Sequence, residues 1–186
     1  AYVKGFYLNS LNPVFIEVST KERSMAVAKM KEVVGRTLRV ASSSCVPGGV
    51  RCEVDVGGGH TVITDEPIPR GGTDTATSPL MYLTTSLGTC QTVQIIKVAA
   101  AMRFKHGAIN IRTETVTDTI DGIEGNSKGV MHFVGAKLEI EIETDESPEK
   151  LKRLAALSED RCPVGRLFAD AGFEPECIWT AIPMPA

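Results

Sequence analysis

The sequence predicts an α+β fold, because segments with helical periodicity and segments with strand alternation are grouped along the 186 residues instead of strictly alternating. Two observations carry this prediction. From residue 79 to residue 104, apolar residues recur at steps of three and four, which places them on one face of a long helix. Residues 130–144 alternate apolar and charged side chains, which is typical of a strand with one solvated face. The predicted order is strands, long helix, strands, helix and strand.

The first 47 residues are predicted to be an N-terminal extension, followed by the main domain, residues 48–186. Aromatic and β-branched residues within positions 1–19 indicate a short strand or two. Residues 20–36 carry an apolar stripe among lysines and glutamates, which predicts one helix. A loop rich in serine, proline and glycine then separates the extension from the rest of the chain.

Strands are predicted on both sides of the long helix. Residues 50–56 and 60–65 form a predicted hairpin, joined by three glycines. After the helix, residues 109–117 alternate and a turn-rich gap leads to the strand at 130–144. The chain closes with a predicted strand at residues 176–183. We therefore expect antiparallel sheets around a long central helix.

Two helices are predicted to begin with the same pair of residue types. Ser78 and Pro79 open the long helix, and Ser147 and Pro148 open a second one. Serine is a good N-cap, and proline is tolerated at the first helical position because its missing N–H would be unpaired there. The predicted apolar face of the long helix holds Leu80, Leu83, Leu87, Cys90 and Val93.

Composition argues against several classes of function. The net charge is −3, whereas nucleic-acid binding requires clustered lysine and arginine. No apolar run is long enough for a membrane span, and the N-terminus does not resemble a signal peptide. The five cysteines form no CxxC pair and no zinc-ligand pattern. We therefore expect a cytoplasmic protein with mostly free thiols, no metal and no cofactor.

Two cysteines lie where a thiol can be reactive, and each also has an inert interpretation. Cys162 precedes Pro163, so it is predicted to lie where a helix begins, and the helix dipole there lowers the pKa of a thiol. Alternatively, Cys162 is a small buried residue at a kink. Cys90 is either an inert core residue or a nucleophile whose thiolate needs a nearby cation.

The motifs around these cysteines resemble those of the OsmC/Ohr family, the osmotically induced and organic hydroperoxide resistance proteins. The resemblance covers roughly residues 49–182. It is carried by Gly-Gly-Thr, Ser-Pro-Leu and Leu-Gly-Thr-Cys, followed about seventy residues later by Cys-Pro-Val-Gly-Arg. It implies an intertwined homodimer, with the long helices at its centre and the active sites at the subunit interface.

The resemblance also implies the reduction of organic hydroperoxides by two cysteines. Cys90 corresponds to the peroxidatic cysteine, which becomes a sulfenic acid, and Cys162 to the resolving cysteine, which condenses with it into a disulfide. Dithiols, often protein-bound lipoyl groups in the family, restore the thiols. Arg70 stands nine residues before Pro79, as does the arginine that stabilises the thiolate in OsmC-type members. Arg51 is the alternative, because Ohr-type members draw their arginine from the N-terminal region.

One position departs from the family pattern. Peroxidases of the family usually carry a glutamate directly after the helix-opening proline, where it orients the arginine, and this chain has Leu80. Asp74 and Asp65 are the candidate replacements. The departure keeps two other hypotheses open. One is a non-catalytic dimer that binds a small apolar ligand, and the other is a thiol redox sensor.

Overall fold

The computed structural model describes residues 4–9, 12–17, 37, 39–45, 47–118 and 132–185. For residues 4–9 and 12–17 it describes the backbone only. The helices are α1 (Pro79–Met102), α2 (Pro148–Asp160) and α3 (Pro163–Asp170), and a short 3-10 helix spans Ile68–Arg70. The strands are β1 (Lys4–Asn9), β2 (Asn12–Glu17), β3 (Ser42–Cys45), β4 (Cys52–Asp55), β5 (Thr61–Thr64), β6 (Ile109–Asp118), β7 (His132–Glu143) and β8 (Glu176–Ile182). The predicted order of strands and helices is confirmed.

The chain divides into two compact units, Ala1–Ser43 with Val54–Thr61, and Ser44–Glu53 with Val62–Ala186. The first contains the antiparallel pair β1 and β2, which confirms the strands expected near the N-terminus. The helix expected at residues 20–36 lies outside the described residues, and the boundary after residue 47 stays a prediction. β3, β4 and β5 form a three-stranded sheet in that order. Cys45 and Cys52 form a disulfide, and Cys90, Cys162 and Cys177 are free thiols.

The sheet of the second unit is mixed, whereas the sequence predicted antiparallel pairing. β7 lies between β6 and β8, antiparallel to β6 and parallel to β8. The chain between β7 and β8 contains α2 and α3, and such a crossover is long enough to return the strand in the same direction. The alternation of side chains along a strand does not show the direction of the neighbouring strand. The parallel pairing of β7 and β8 could therefore not be predicted from the sequence of either strand.

The hydrophobic core of the second unit lies between this sheet and the three helices. Leu138, Ile140 and Ile142 of β7 are buried, as their alternation predicted. They belong to one apolar cluster with residues of α1, α2 and α3, among them Leu87, Ile95, Val98, Leu154 and Phe168. The core therefore fixes α1 and α3 in one packed body.

The buried face of α1 is rotated relative to the predicted one. Leu87 is buried, Leu83 and Cys90 are half-buried, but Leu80 and Val93 are exposed. The buried positions of α1 are Thr84, Leu87, Gly88, Gln91, Ile95, Val98 and Ala99. This stripe includes polar and small residues, which explains why apolar spacing alone did not locate it. At Gly88 a Cβ would lie 2.4 Å from Thr113 Oγ1, so the glycine lets α1 approach β6 closely.

Candidate functional site

The structure brings Cys90 and Cys162 together. Cys90 lies at the middle of α1 and is half-buried, while Cys162 is the N-cap of α3 and only 1% exposed. The Cys90 thiol acts on Cys162, because it is among the groups that raise the pKa of the Cys162 thiol. The packing of α3 against α1 therefore brings two thiols that are distant in sequence into the same neighbourhood.

Ordinary helix-capping chemistry positions Cys162. Pro163 occupies the first turn of α3, and Cys162 before it has extended backbone with φ −78° and ψ 105°. Its Sγ accepts a hydrogen bond from the backbone N–H of Gly165 at 3.3 Å. The predicted helix start at this residue is therefore confirmed.

The expected lowering of the Cys162 pKa is wrong. Burial raises the pKa of the Cys162 thiol, and the contact with Cys90 raises it further. The backbone N–H groups of Gly165 and Val164 act in the opposite direction but do not compensate for the lost hydration. The nearby Arg166 side chain is exposed and pairs with Asp170 at 3.6 Å. Cys162 is thus a protonated thiol at neutral pH.

Neither candidate arginine contacts Cys90 within the described part of the chain. Arg70 ends the short 3-10 helix, where its side chain is 62% exposed and lies 3.7 Å from Glu66. Arg51 pairs with Glu53 at 3.0 Å. Glu66 is thus the carboxylate beside Arg70, and sequence reasoning missed it although it stands four residues before the arginine.

The two candidate replacements for the family glutamate have other contacts. Asp65 is fully buried and accepts hydrogen bonds from the backbone and hydroxyl groups of Thr73 and Thr75 and from the backbone N–H of Glu66. These bonds, that from the Thr73 hydroxyl foremost, hold the pKa of Asp65 well below its usual 3.8. Asp74 lies in the same loop with φ 57°. Asp65 therefore fixes the loop that leads into α1.

A cavity opens on the α3 side of the thiol pair. Its polar lining includes Gln91, which is 2% exposed and donates to Ser158 Oγ at 3.3 Å. Glu159 also lines it, and its Oε1 accepts from Trp179 Nε1 at 2.7 Å. Burial raises the pKa of the Glu159 carboxyl. None of these residues belongs to a motif, so no pattern in the sequence pointed to them.

Cys177 of β8 lines the same cavity. Burial raises the pKa of its thiol to about 12, helped by the negative charges of Glu159 and Cys162. The sequence assigned this cysteine no role. The structure places it close enough to Cys162 for the charge of Cys162 to affect its pKa.

Two kinds of feature are absent from the described residues. No group of three or more histidine, cysteine, aspartate or glutamate side chains there is arranged to hold a metal ion. In the same part of the chain, no helix combines the length and the apolar character needed to cross a membrane.

Comparison with known proteins gives a family and a fold. The family model described as OsmC-like protein matches residues 72–174, which is more than half of the chain. This range contains Cys90 and Cys162 but neither Arg70 nor Cys177. No curated protein matches the sequence.

Solved structures of low sequence identity share the fold. The OsmC like protein from Mycoplasma pneumoniae has a TM-score of 0.65 at 14% identity, covering 78% of this chain and 98% of its own. An organic hydroperoxide resistance protein from Elizabethkingia anophelis has a TM-score of 0.64 at 16% identity, with coverages of 81% and 100%. An organic hydroperoxide resistance protein OsmC from Legionella pneumophila has a TM-score of 0.59 at 17% identity, with coverages of 77% and 97%.

Proposed function

Because the chain belongs to the OsmC-like protein family, we propose that it is a thiol-dependent peroxidase that reduces organic hydroperoxides through Cys90 and Cys162. The proximity of these two thiols, which follows from the packing of α3 against α1 and lets Cys90 raise the pKa of Cys162, is the observation that carries the proposal. Structural neighbours that are organic hydroperoxide resistance proteins support a role in peroxide or redox chemistry. They share too little sequence to transfer the roles of individual residues.

The two thiols differ in burial, and the proposed roles follow from that difference. Cys90 is half-buried and therefore accessible to a peroxide, whereas Cys162 is buried and protonated. The Cys90 thiolate attacks the O–O bond, the alkoxide leaves and takes up a proton, and Cys90 becomes a sulfenic acid. The Cys162 sulfur then attacks the Cys90 sulfur, which releases water and forms the disulfide. A dithiol reductant, of the lipoyl type in our proposal, restores both thiols by exchange.

The stabilising cation is proposed to be Arg70, with Arg51 as the alternative. In a single chain both arginines pair with nearby glutamates instead of Cys90. We propose that the active site is completed in a homodimer, at whose interface an arginine reaches the thiolate. Exposed apolar residues on α1, namely Met81, Val93 and Ile96, support such an interface.

Steady-state reduction of cumene hydroperoxide with dihydrolipoamide tests the proposal. Replacing Cys90 by serine is expected to reduce turnover to the uncatalysed background, because serine cannot form the sulfenic acid. Thr89→Ser is the matched control, since Thr89 is exposed on the same helical turn. Arg70→Ala and Arg51→Ala are measured side by side. The variant that loses more turnover identifies the arginine that stabilises the Cys90 thiolate. Full turnover in Cys90→Ser would refute the proposal.

A non-catalytic binding function is the second candidate, because Leu80 replaces the usual glutamate. A largely apolar crevice, lined by Leu83, His132, Phe133, Leu167, Phe168, Ala171 and Phe173, favours it. A small apolar ligand that stays bound through purification, in a protein without peroxide turnover, would support this function. A redox sensor differs from both, because it would be oxidised once by peroxide and recycle slowly with the dithiol.

A further inference from the structure

The disulfide between Cys45 and Cys52 is the one sulfur–sulfur bond of the described residues, and the proposed peroxidase reaction does not use it. Cys45 ends β3, and Cys52 begins β4 seven positions further along the chain. Their Cα atoms are 4.4 Å apart, close to the separation of two residues that face each other across antiparallel strands. The backbone of the two strand ends therefore keeps the sulfur atoms adjacent.

A tight turn connects the two cysteines. Pro47 and Gly48 form this turn, and Gly48 has φ 79°, a value that glycine adopts without steric cost. Proline followed by glycine is a common pair at the centre of a turn that reverses the chain. We therefore expect the two thiols of the reduced form to stay close enough to be joined again.

Solvent reaches this disulfide. Cys45 is exposed, Cys52 is half-buried, and residues 42–45 and 47–50 are all exposed. Exposed disulfides are the ones that a thiol attacks readily, whereas buried ones resist reduction. The loop that the bond closes is short, and a short loop gains less stability from closure than a long one. Opening the bond therefore leaves the packed core in place.

Arg51 lies inside this loop, directly before Cys52. Its guanidinium lies 3.0 Å from the Glu53 carboxylate, and the two side chains are 29% and 58% exposed. Ion pairs with this much exposure contribute little to stability, so the pair alone does not hold the loop. The neighbouring disulfide is the stronger constraint on Arg51.

We propose that Cys45 and Cys52 are a reversible redox switch, in which the disulfide fixes the loop that carries Arg51 and a dithiol releases it. The switch does not rest on the proposed peroxidase function, because Cys90 and Cys162 take no part in it. Dithiols open the bond, and low-molecular-weight disulfides such as glutathione disulfide close it.

The opening reaction is an ordinary thiol–disulfide exchange. A thiolate of the dithiol attacks the sulfur of Cys45, the more exposed of the two residues, and Cys52 leaves as a thiolate that takes up a proton. The second thiol of the reductant then attacks the mixed disulfide, so the reductant leaves as a cyclic disulfide and Cys45 becomes a thiol. Two electrons and two protons pass from the dithiol to the cysteines. Glutathione disulfide takes them up in the reverse direction and becomes two molecules of glutathione.

Limited trypsin digestion of the folded chain tests the switch, because trypsin cleaves after Arg51 only when the loop opens into its active site. The protein is treated with glutathione disulfide or dihydrolipoamide and desalted without air. Cleavage is followed by mass spectrometry of denatured, fully reduced samples. Dihydrolipoamide is expected to speed cleavage after Arg51 several-fold. Cleavage after Arg70, which is 62% exposed and outside the loop, is the internal control and is expected to keep its rate.

Alkylation with N-ethylmaleimide before digestion shows the state of the pair itself. Cys45 and Cys52 are expected to be alkylated after dihydrolipoamide, with unchanged far-UV circular dichroism, and to be linked again after glutathione disulfide. Cys45→Ser is expected to be cleaved fast after either treatment, because it lacks the bridge and keeps the Arg51–Cys52 peptide bond that trypsin cuts. A disulfide that resists dihydrolipoamide in the folded chain would overturn the proposal. Equal cleavage after Arg51 in both redox states would overturn it as well.

Discussion

The Cys162 thiol lies at a helix N-terminus, with the Gly165 N–H directed at its sulfur, yet burial raises its pKa above the usual 9.0 of a thiol. A cap position lowers the pKa only where the thiolate stays hydrated or is compensated by several donors. Here the sulfur is almost completely buried. A proline after a cysteine therefore predicts the helix start correctly, but it does not predict the charge state of the thiol.

The first prediction concerns the titration of Cys162. In a variant with Cys90→Ser and Cys177→Ser, Cys162 is the one free thiol of the described residues, because Cys45 and Cys52 are bonded. Thiolate absorbance at 240 nm is expected to appear only above pH 9.0, since burial favours the neutral thiol. The native state then holds this proton more tightly than the unfolded state, so stability is expected to fall as the pH rises above 9.0. Ionisation of Cys162 below pH 9.0 would contradict the conclusion that burial raises the pKa of this thiol.

Asp65 provides a second prediction at the residue scale. Its folded-state pKa is lowered, so its contribution to stability is complete above the usual 3.8 and is lost as the pH falls towards the folded value. Asp65→Asn is expected to lower the free energy of unfolding at pH 7 and to flatten its decline below pH 4. Urea unfolding between pH 2 and 7 measures both effects. Asp74→Asn is the control, because Asp74 is exposed in the same loop and asparagine tolerates its positive φ. Equal acid sensitivity in wild type and Asp65→Asn would contradict the prediction.

At the scale of the element, local signals predicted most of the secondary structure. Ser78 and Ser147 cap α1 and α2, accepting from Met81 and Lys150 as the Ser-Pro pairs indicated. The alternation in β7 placed its apolar residues correctly. Two features could not be predicted from the sequence. They are the parallel direction of β8 relative to β7 and the identity of the buried face of α1. Both depend on tertiary packing, which the order of apolar residues within one segment does not specify.

The third prediction tests the role of β7 in the core. Ile140 is 1% exposed, and truncating it to alanine is expected to lower the free energy of unfolding by about 2–5 kcal/mol, because a cavity remains in the core. Val134→Ala on the same strand is the control, since Val134 is 44% exposed and its truncation is expected to cost much less. Chemical unfolding of both variants makes the measurement. Equal losses would show that β7 does not face the core as described.

At the scale of the whole molecule, the candidate site is an assembly of α1, α3 and β8. The sequence identified Cys90 and Cys162 as a pair through family resemblance, because no spacing rule relates residues so far apart. Glu66 and Glu159 were missed, since the sequence does not show the contacts that the fold gives them with Arg70 and Trp179. We propose that the exposed apolar side of α1 extends this dependence to a second chain.

The fourth prediction concerns the proposed homodimer. Multi-angle light scattering is expected to give the mass of two chains, each of 20.0 kDa. Ile96→Glu is expected to shift the protein towards the monomer, because Ile96 is an exposed apolar residue of α1 and a buried glutamate is costly. Lys152→Glu, on the exposed side of α2, is the control and is expected to leave the mass unchanged. A wild-type monomer at all concentrations would contradict the proposed interface.

The most direct test of the central claim is peptide mapping of the protein after milliseconds to seconds with one equivalent of cumene hydroperoxide, quenched in acid and alkylated. We expect the loss of two hydrogens and a Cys90–Cys162 disulfide as the first oxidised species, because the packing of α3 against α1 already brings these thiols close together. Cys162→Ser is expected to stop at the Cys90 sulfenic acid, which dimedone traps. A Cys90 that stays reduced, while the peroxide is untouched, would contradict the claim that this thiol pair is the reacting centre.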